Sequence, residues 1–352
     1  MTRIATFKMN GSSFDTTSAL LHFAKTHVKP VFPFLREWFN EELFISVETS
    51  GSTGVPKILQ IKKEYMVNSA LATGTYFNVE DGTKALLCLS PDYIAGKMML
   101  VRALVLGWDL EVVSPISNPL SKTSKTFDFV AMVPLQLQSS LQDLDRVKQV
   151  IVGGGVVSND LKNALQKVSA KVYATYGMTE TISHIAVKQL NYVHNTPVFY
   201  EALPNVSIFK DQRECLVVQA PHLSDAIVFT NDVVALVSEA QFEWLGRYDN
   251  IINSGGVKLQ PEKIENKLAV LITERFFVAG IPDSILGERL VLIIESNRKN
   301  YFKAALKEQG LALGLNKFEI PKEVYVIKQF VETNTKKIQR QKTLDLIMNY
   351  RN

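Results

Sequence analysis

Apolar runs of strand length recur through the first half of the chain, at Leu43 to Glu48, Ala85 to Leu89, Leu110 to Val113, Phe127 to Val133, Gln149 to Val152 and Lys171 to Thr175. Amphipathic stretches lie between them. Lys97 to Leu106, stopped by Gly107, and Asp160 to Val168, preceded by the capping candidates Ser158 and Asn159, read as helices. Strand and helix in alternation predict an α/β fold with a largely parallel sheet. From Ala202 to Leu245 the pattern changes to short alternating strands broken by turn residues, which predicts a β-rich subdomain closing the large domain. After Gly246 a smaller α+β unit begins, with helices near Pro261 to Val270 and Phe302 to Glu308 and strands near Phe277 to Ile281, Leu290 to Glu295 and Val324 to Ile327. The boundary falls near Arg247 to Asn250, giving a large domain over 1–248 and a small C-terminal domain over 249–352.

Length and composition agree with two globular units. The chain has 352 residues, 46% hydrophobic and 21% charged, too long for one core to keep growing and too apolar for extended disorder. Its net charge of +4 is spread without basic blocks beyond pairs such as Lys62-Lys63, so nucleic acid is not expected as a partner. Cys88 and Cys215 stand in apolar runs with no metal-type spacing, which reads as buried free thiols in a reducing compartment. The most apolar stretch, Met98 to Gly107, is bounded by Lys97 and broken by Arg102, and no cationic head precedes an apolar run at the N-terminus. Neither a membrane span nor a secretion signal is read, and the expected location is cytoplasmic. Self-association stays open.

Four segments carry candidate chemistry. Thr49-Ser50-Gly51-Ser52-Thr53-Gly54-Val55-Pro56-Lys57 follows a strand and offers hydroxyls, backbone N–H groups and one cation to a polyphosphate. Pro56 and Ile58 stand where a Walker loop needs Gly and Ser or Thr, so it is not a P-loop. Tyr173-Ala174-Thr175-Tyr176-Gly177-Met178-Thr179-Glu180-Thr181 is a strand running into a turn: Tyr176 offers an aromatic face to a base, Thr179 a donor to phosphate and Glu180 a hard oxygen for Mg²⁺. Upstream, Gly153, Gly154 and Gly155 permit close approach of a flat ligand. The third segment runs from Gly246-Arg247-Tyr248-Asp249 through Ser254-Gly255-Gly256-Val257-Lys258 to Pro261 and Glu265, and the fourth is Thr333 to Arg340 with Lys336-Lys337 at its centre. Each has a plain rival: a solvated turn, a surface ion pair of Arg247 with Asp249, or a basic tail around Lys337.

Together with Thr230-Asn231-Asp232, these segments resemble in order and spacing the motifs of the adenylate-forming superfamily of acyl-CoA synthetases, adenylation domains and luciferases. The resemblance runs from about Ser46 to Arg340. It implies a large domain, a hinge and a mobile small domain, with ATP, Mg²⁺ and CoA as reactants. A carboxylate attacks the α-phosphorus of Mg-ATP, and a thiol then displaces AMP. On matching positions Thr49, Ser50, Gly51, Ser52, Thr53, Gly54 and Lys57 would hold the outer phosphates, with Gly154 and Gly155 beside the nucleotide. Tyr176 would lie against adenine, Asp232 and Arg247 would hold the ribose, and Thr179 and Glu180 would serve catalysis, Glu180 as the metal ligand. Lys337 would bridge the carboxylate and the α-phosphate. Asp249 would be the hinge, with Gly255, Gly256 and Lys258 on the CoA side. The Gly usual before the catalytic lysine is Lys336 here, and Asn231 stands where Gly is common.

The phosphate loop begins at residue 49, so much of the usual N-terminal subdomain is missing. Short architectures of this kind look most like the o-succinylbenzoate–CoA ligases of menaquinone synthesis. The segment Leu89 to Met99 lacks the His that relatives carry in a substrate contact. Cations nearby, Lys97 and Arg102, could take a second substrate carboxylate, and Gly177 and His184 would approach the acid. Two alternatives stay open: another aryl- or acyl-CoA ligase or carrier-loading adenylation enzyme, and a nucleotide- or acyl-adenylate-binding module without turnover.

Overall fold

The computed structural model describes residues 6–48, 57–193, 197–297, 303–333 and 337–349. The expected alternation is present. Strand Lys84–Leu87 is flanked in parallel by Asp109–Val112 and Phe127–Met132, and Val147–Val152 and Lys171–Gly177 continue in parallel. Helix Ile94–Leu106 links the first two strands and is buried at every position from Gly96 to Leu106, so it is a core helix with no solvent face. Gly107, with φ 75°, ends it. Ser158 caps helix Asn159–Leu165 by accepting from the Leu161 N–H at 3.2 Å, as its position in the sequence suggests.

Two expectations need correction. The strands after Ala202 do not form a separate subdomain. His184–Gln189, Tyr200–Ala202, Gln241–Arg247, Val228–Leu236, Cys215–Gln219 and Ser207–Lys210 extend the parallel strands antiparallel, making one 13-stranded sheet among the described residues. Alternating polarity marks a strand but not its partner, and Tyr200–Ala202 finds its partner only at Gln241–Arg247. The run from Leu43 likewise lies outside the parallel sheet: Phe44–Glu48 pairs antiparallel with Ile58–Lys62 in a two-stranded sheet. Only Ile45 and Val47 on that strand are buried. Such alternation belongs to a strand with one wet face, whereas the strands of a covered parallel sheet are apolar on both.

Apolar layers cover both faces of the large sheet. One holds Trp108, Phe129, Leu104 and Met66, and the other holds Leu86, Val130, Val150 and Leu161. A second, 5-stranded sheet follows, built from Ile252–Ser254, Val257–Leu259, Phe276–Asp283, Gly287–Glu295 and Glu323–Ile327. Its first two strands are joined at Gly255 and Gly256, with φ 60° and 80°, values suited to a tight hairpin turn. Cys88 and Cys215 are buried and unpaired. Among the described residues no helix is long and apolar enough to cross a membrane.

Candidate active site

The glycine segment and the 173–181 segment follow the carboxyl ends of two adjacent parallel strands, and the turn into helix Ile94–Leu106 follows a third parallel strand of the same sheet. Gly153 to Gly155 follow Val147–Val152, Gly177 ends Lys171–Gly177, and the turn into helix Ile94–Leu106 follows Lys84–Leu87. In open α/β sheets the loops at these ends form the ligand crevice. Residues 49–56 and Lys336 lie outside the described residues. Glu48 pairs with Ile58, so the two ends of the Ser/Thr/Gly segment are held side by side, with Lys57 exposed at its far end.

Asp232 sits at the centre of one cluster. Its position opposite Arg247 in the antiparallel pairing brings it under the aromatic wall. Its Oδ2 accepts from the Tyr176 hydroxyl at 2.7 Å and its Oδ1 from Trp244 Nε1 at 3.0 Å. Arg247 Nη1 approaches Oδ1 at 3.9 Å. Tyr176 exposes only 9% of its surface and packs edge-on against Tyr200 and Phe242. Burial, then the charge of Asp232, hold its hydroxyl protonated as a donor, well above the usual tyrosine range. The Thr230 hydroxyl, bonded to Leu216 O at 2.7 Å, receives the Asp232 N–H at 3.1 Å, so this acid is fixed by backbone as well as side chain.

Thr179 and Glu180 lie in a short 3-10 turn, and both face a cleft of about 540 Å³ bounded by Leu59, Ile61, Tyr65 and Phe229. The Glu180 carboxylate is exposed and has no protein partner among the described residues, as a ligand for an incoming cation requires. The next turn is strained. Ile182 takes φ 67° and ψ −50°, and the Ser183 N–H closes onto Thr181 O at 2.7 Å, forming a γ-turn that a β-branched residue adopts at a cost of about 1–3 kcal/mol. It reverses the chain so that Ser183 and His184 lie against Gly177. A Cβ at Gly177 would fall 2.2 Å from Ser183 O, which is why glycine stands there.

Behind this turn lies Arg102, 2% exposed. Its Nε donates to Thr73 Oγ1 at 3.1 Å and its Nη2 to Ser183 Oγ at 2.5 Å, with His184 Nδ1 at 3.4 Å. Among the described residues no carboxylate pairs with it. Burial pushes its pKa down to about 10, which leaves it a cation at neutral pH. His184 is held well below the usual histidine range by burial and then by Arg102, so it is neutral, and its Nε2 is buried without a hydrogen-bond partner among the described residues. Lys97, five residues earlier, points elsewhere on the helix. Its ammonium lies 5.0 Å over the Phe34 ring, and burial lowers its pKa.

Lys337 is exposed in part, yet its ammonium is desolvated enough that burial, then the like charge of Arg247, lower its pKa. Its backbone N–H bonds Thr333 Oγ1 at 3.1 Å, and its carbonyl accepts from Thr333 N at 2.9 Å. These two bonds fix the Lys337 backbone, and the charge of Arg247 is felt at its ammonium. Arg247 also pairs with Asp249 at 2.7 Å, the surface ion pair that the sequence allows as a plain reading. Gly255, Gly256 and Lys258 are in the small-sheet hairpin, with Lys258 exposed.

Sequence reasoning missed Trp244, Tyr200, Phe242, Ser183 and Thr73. Each reaches the site through pairing or packing with a distant segment. Trp244 is the one with a possible signal, as an indole N–H on a half-buried strand requires an acceptor.

Residues 41–208 match the family model described as AMP-binding enzyme. A crystal structure of an acyl-CoA synthetase (AMP-forming)/AMP-acid ligase II-like protein from Dyadobacter fermentans is 37% identical in sequence, with a TM-score of 0.60 over 92% of this chain and 95% of that one. The O-succinylbenzoate coenzyme A synthetase of Bacillus subtilis, in complex with ATP and magnesium ion, has the same fold at a TM-score of 0.73 and 20% identity, over 85% of this chain and 69% of that one. The 2-succinylbenzoate–CoA ligase of a Geobacillus species is 25% identical over 362 residues, 91% of this chain and 72% of its own length.

Proposed function

This chain belongs to the AMP-binding, adenylate-forming family as an AMP-forming acyl-CoA ligase, and from that premise we propose that its acid is an aromatic dicarboxylate, o-succinylbenzoate, converted to its CoA thioester. The observation that carries the substrate is Arg102. A buried guanidinium without a carboxylate partner is costly, and its burial is offset when an anionic ligand completes it. One substrate carboxylate is consumed in forming the adenylate. A second, on the far side of the acid, is the group that a fixed cation behind Gly177 suits. The names of the relatives point to the same acid.

In this reading ATP and its Mg²⁺ supply the electrophilic phosphorus and the leaving pyrophosphate. Tyr176 forms the wall for the base and fixes Asp232 through its hydroxyl. Asp232 accepts from the ribose, and Arg247 donates to it. Glu180 would hold the Mg²⁺ carried on the phosphates, and Thr179 would donate to phosphate. The residues of the 49–57 segment hold the outer phosphates. Lys337, whose ammonium feels the charge of Arg247, would neutralise charge between the attacking carboxylate and the α-phosphate. Adenylation then needs positioning and electrostatics and no proton transfer. In the second step the small domain, over 249–352, turns about Asp249, and Gly255, Gly256 and Lys258 come to the CoA side.

Pyrophosphate exchange over a panel of carboxylic acids, with thioester formation followed on adding CoA, tests the assignment. The expected result is acid-dependent exchange greatest with o-succinylbenzoate. Tight ATP binding without exchange for any acid would mark a binding module.

A further inference from the structure

We propose that Asn231 is a positioning residue that tethers the hinge, holding Lys337 toward the site during adenylation and letting go for thioester formation. The inference rests on the two-step reading above. Asn231 Nδ2 lies 3.2 Å from both carboxylate oxygens of Asp249. Its Oδ1 is held in turn by Arg213 Nη1 at 2.8 Å, and Arg213 Nη2 donates to Thr230 O at 3.0 Å. The same guanidinium lies 5.3 Å over the ring of Tyr248, next to the hinge. Arg247 closes the chain onto Asp249 at 2.7 Å. A line of contacts therefore runs from Arg213, Asn231 and Arg247 of the large-sheet part onto Asp249, in the short turn Tyr248–Asn250 that leads into the small sheet.

The same turn is gripped from the other side. Asn250 Nδ2 donates to Glu262 Oε1 at 2.5 Å, and Glu262 is on helix Pro261–Leu268, packed with the small sheet. Turning the small sheet about Asp249 strains the Asn231 contact, and it also slides Glu262 past Gly246 of the large-sheet strand, on which its side chain packs. Asp249 is 39% exposed on its side chain, so the tether is a weak, solvent-screened contact. A weak contact suits this role, because it biases a two-state equilibrium without locking it. Glu262 Oε2 is buried against Gly246 with no hydrogen-bond partner among the described residues, so the arrangement also contains an unsatisfied group where the small-sheet helix meets the large sheet. The two opposing features leave the balance open to a single side chain.

The test is Asn231→Ala in the full chain, with Arg213→Ala as a second variant acting through the same contact. Each half-reaction is measured in a single turnover: adenylate from ATP and o-succinylbenzoate, and thioester from preformed acyl-adenylate and CoA. The tether predicts opposite changes, adenylation slower and thioester formation faster, each by about threefold. General loss of fold would move both down, so parallel loss with a lowered Tm, or no change in either, overturns the proposal. If the wild-type chain activates no acid, the functional reading fails separately. The tether is then judged by energy transfer between labels at Lys171→Cys and Ile285→Cys, both exposed positions, in the presence of Mg-ATP. A broadened distance distribution in the Asn231→Ala background supports it, and an unchanged one overturns it.

Discussion

Arg102 Nη2 lies 3.4 Å from Nδ1 of His184, so the imidazole turns its lone pair toward the guanidinium and keeps its proton on Nε2. A neutral histidine cannot compensate a buried cation. Among the described residues the pair therefore holds a buried positive charge with no carboxylate beside it.

Arg102→Met should cost little or no Tm. It removes a buried charge that has no carboxylate partner among the described residues and fills the space with an unbranched side chain, a change that is often neutral or stabilising. The lost hydrogen bonds to Thr73 and Ser183 set the opposing cost, about 1 kcal/mol each. A melt that falls by 10 °C or more, several kcal/mol for a chain of this size, would identify Arg102 as structural.

In the proposed reaction Lys337 acts as the protonated cation that neutralises charge at the α-phosphate. Burial and Arg247 depress its pKa, so adenylation should fall with rising pH at a lower pH than the ordinary lysine value of about 10.4 would give. The sign for folding is the reverse of a paired lysine: the charged form is disfavoured in the folded state below its folded pKa, and that penalty vanishes above the unfolded pKa. Bound polyphosphate raises the pKa again. The alkaline limb of kcat should therefore lie above that of kcat/KM for ATP. Lys337→Ala should abolish adenylation yet leave a supplied acyl-adenylate convertible to thioester.

Tyr176→Phe keeps the aromatic wall and removes the donor to Asp232 Oδ2. An acceptor on a 7% exposed acid is then left short, so stability should drop by about 1–3 kcal/mol and KM for ATP should rise about tenfold. An unchanged KM would separate Asp232 from nucleotide binding.

Glu180→Gln preserves shape and loses the charge that a hard cation prefers. Adenylation at fixed Mg-ATP should fall by on the order of a hundredfold, with partial recovery at high Mg²⁺. Normal turnover would assign the metal elsewhere.

What could be read from the chain depended on whether the signal was local. Gly107 and Ser158 act within one turn of their helices and were legible as stop and cap. The Tyr176 to Glu180 segment was legible because strand, turn and carboxylate are consecutive. Arg102 was visible as a cation after Gly96, but amphipathic reading gives a helix a wet face, and Ile94–Leu106 has none from Gly96 onward. Its burial therefore had to come from the structure. The Asn231–Asp249 contact spans 18 residues and exists only because Asp232 and Arg247 are in register. The run from Leu43 to Glu48 carried part of its own correction, since Ser46 and Glu48 alternate with Ile45 and Val47 in the manner of a strand with one wet face.

The central claim, that Arg102 selects a second carboxylate, is tested most directly by comparing two acids on two proteins. The acids are o-succinylbenzoate and 4-oxo-4-phenylbutanoate, the same skeleton without the ring carboxylate, and the proteins are wild type and Arg102→Met. The predicted result is a wild-type preference in kcat/KM for the diacid on the order of a hundredfold or more, because the monoacid leaves the buried cation unpaired, and near-equal use in the variant. Equal use of both acids by the wild type, or a preference that survives Arg102→Met, would contradict the account.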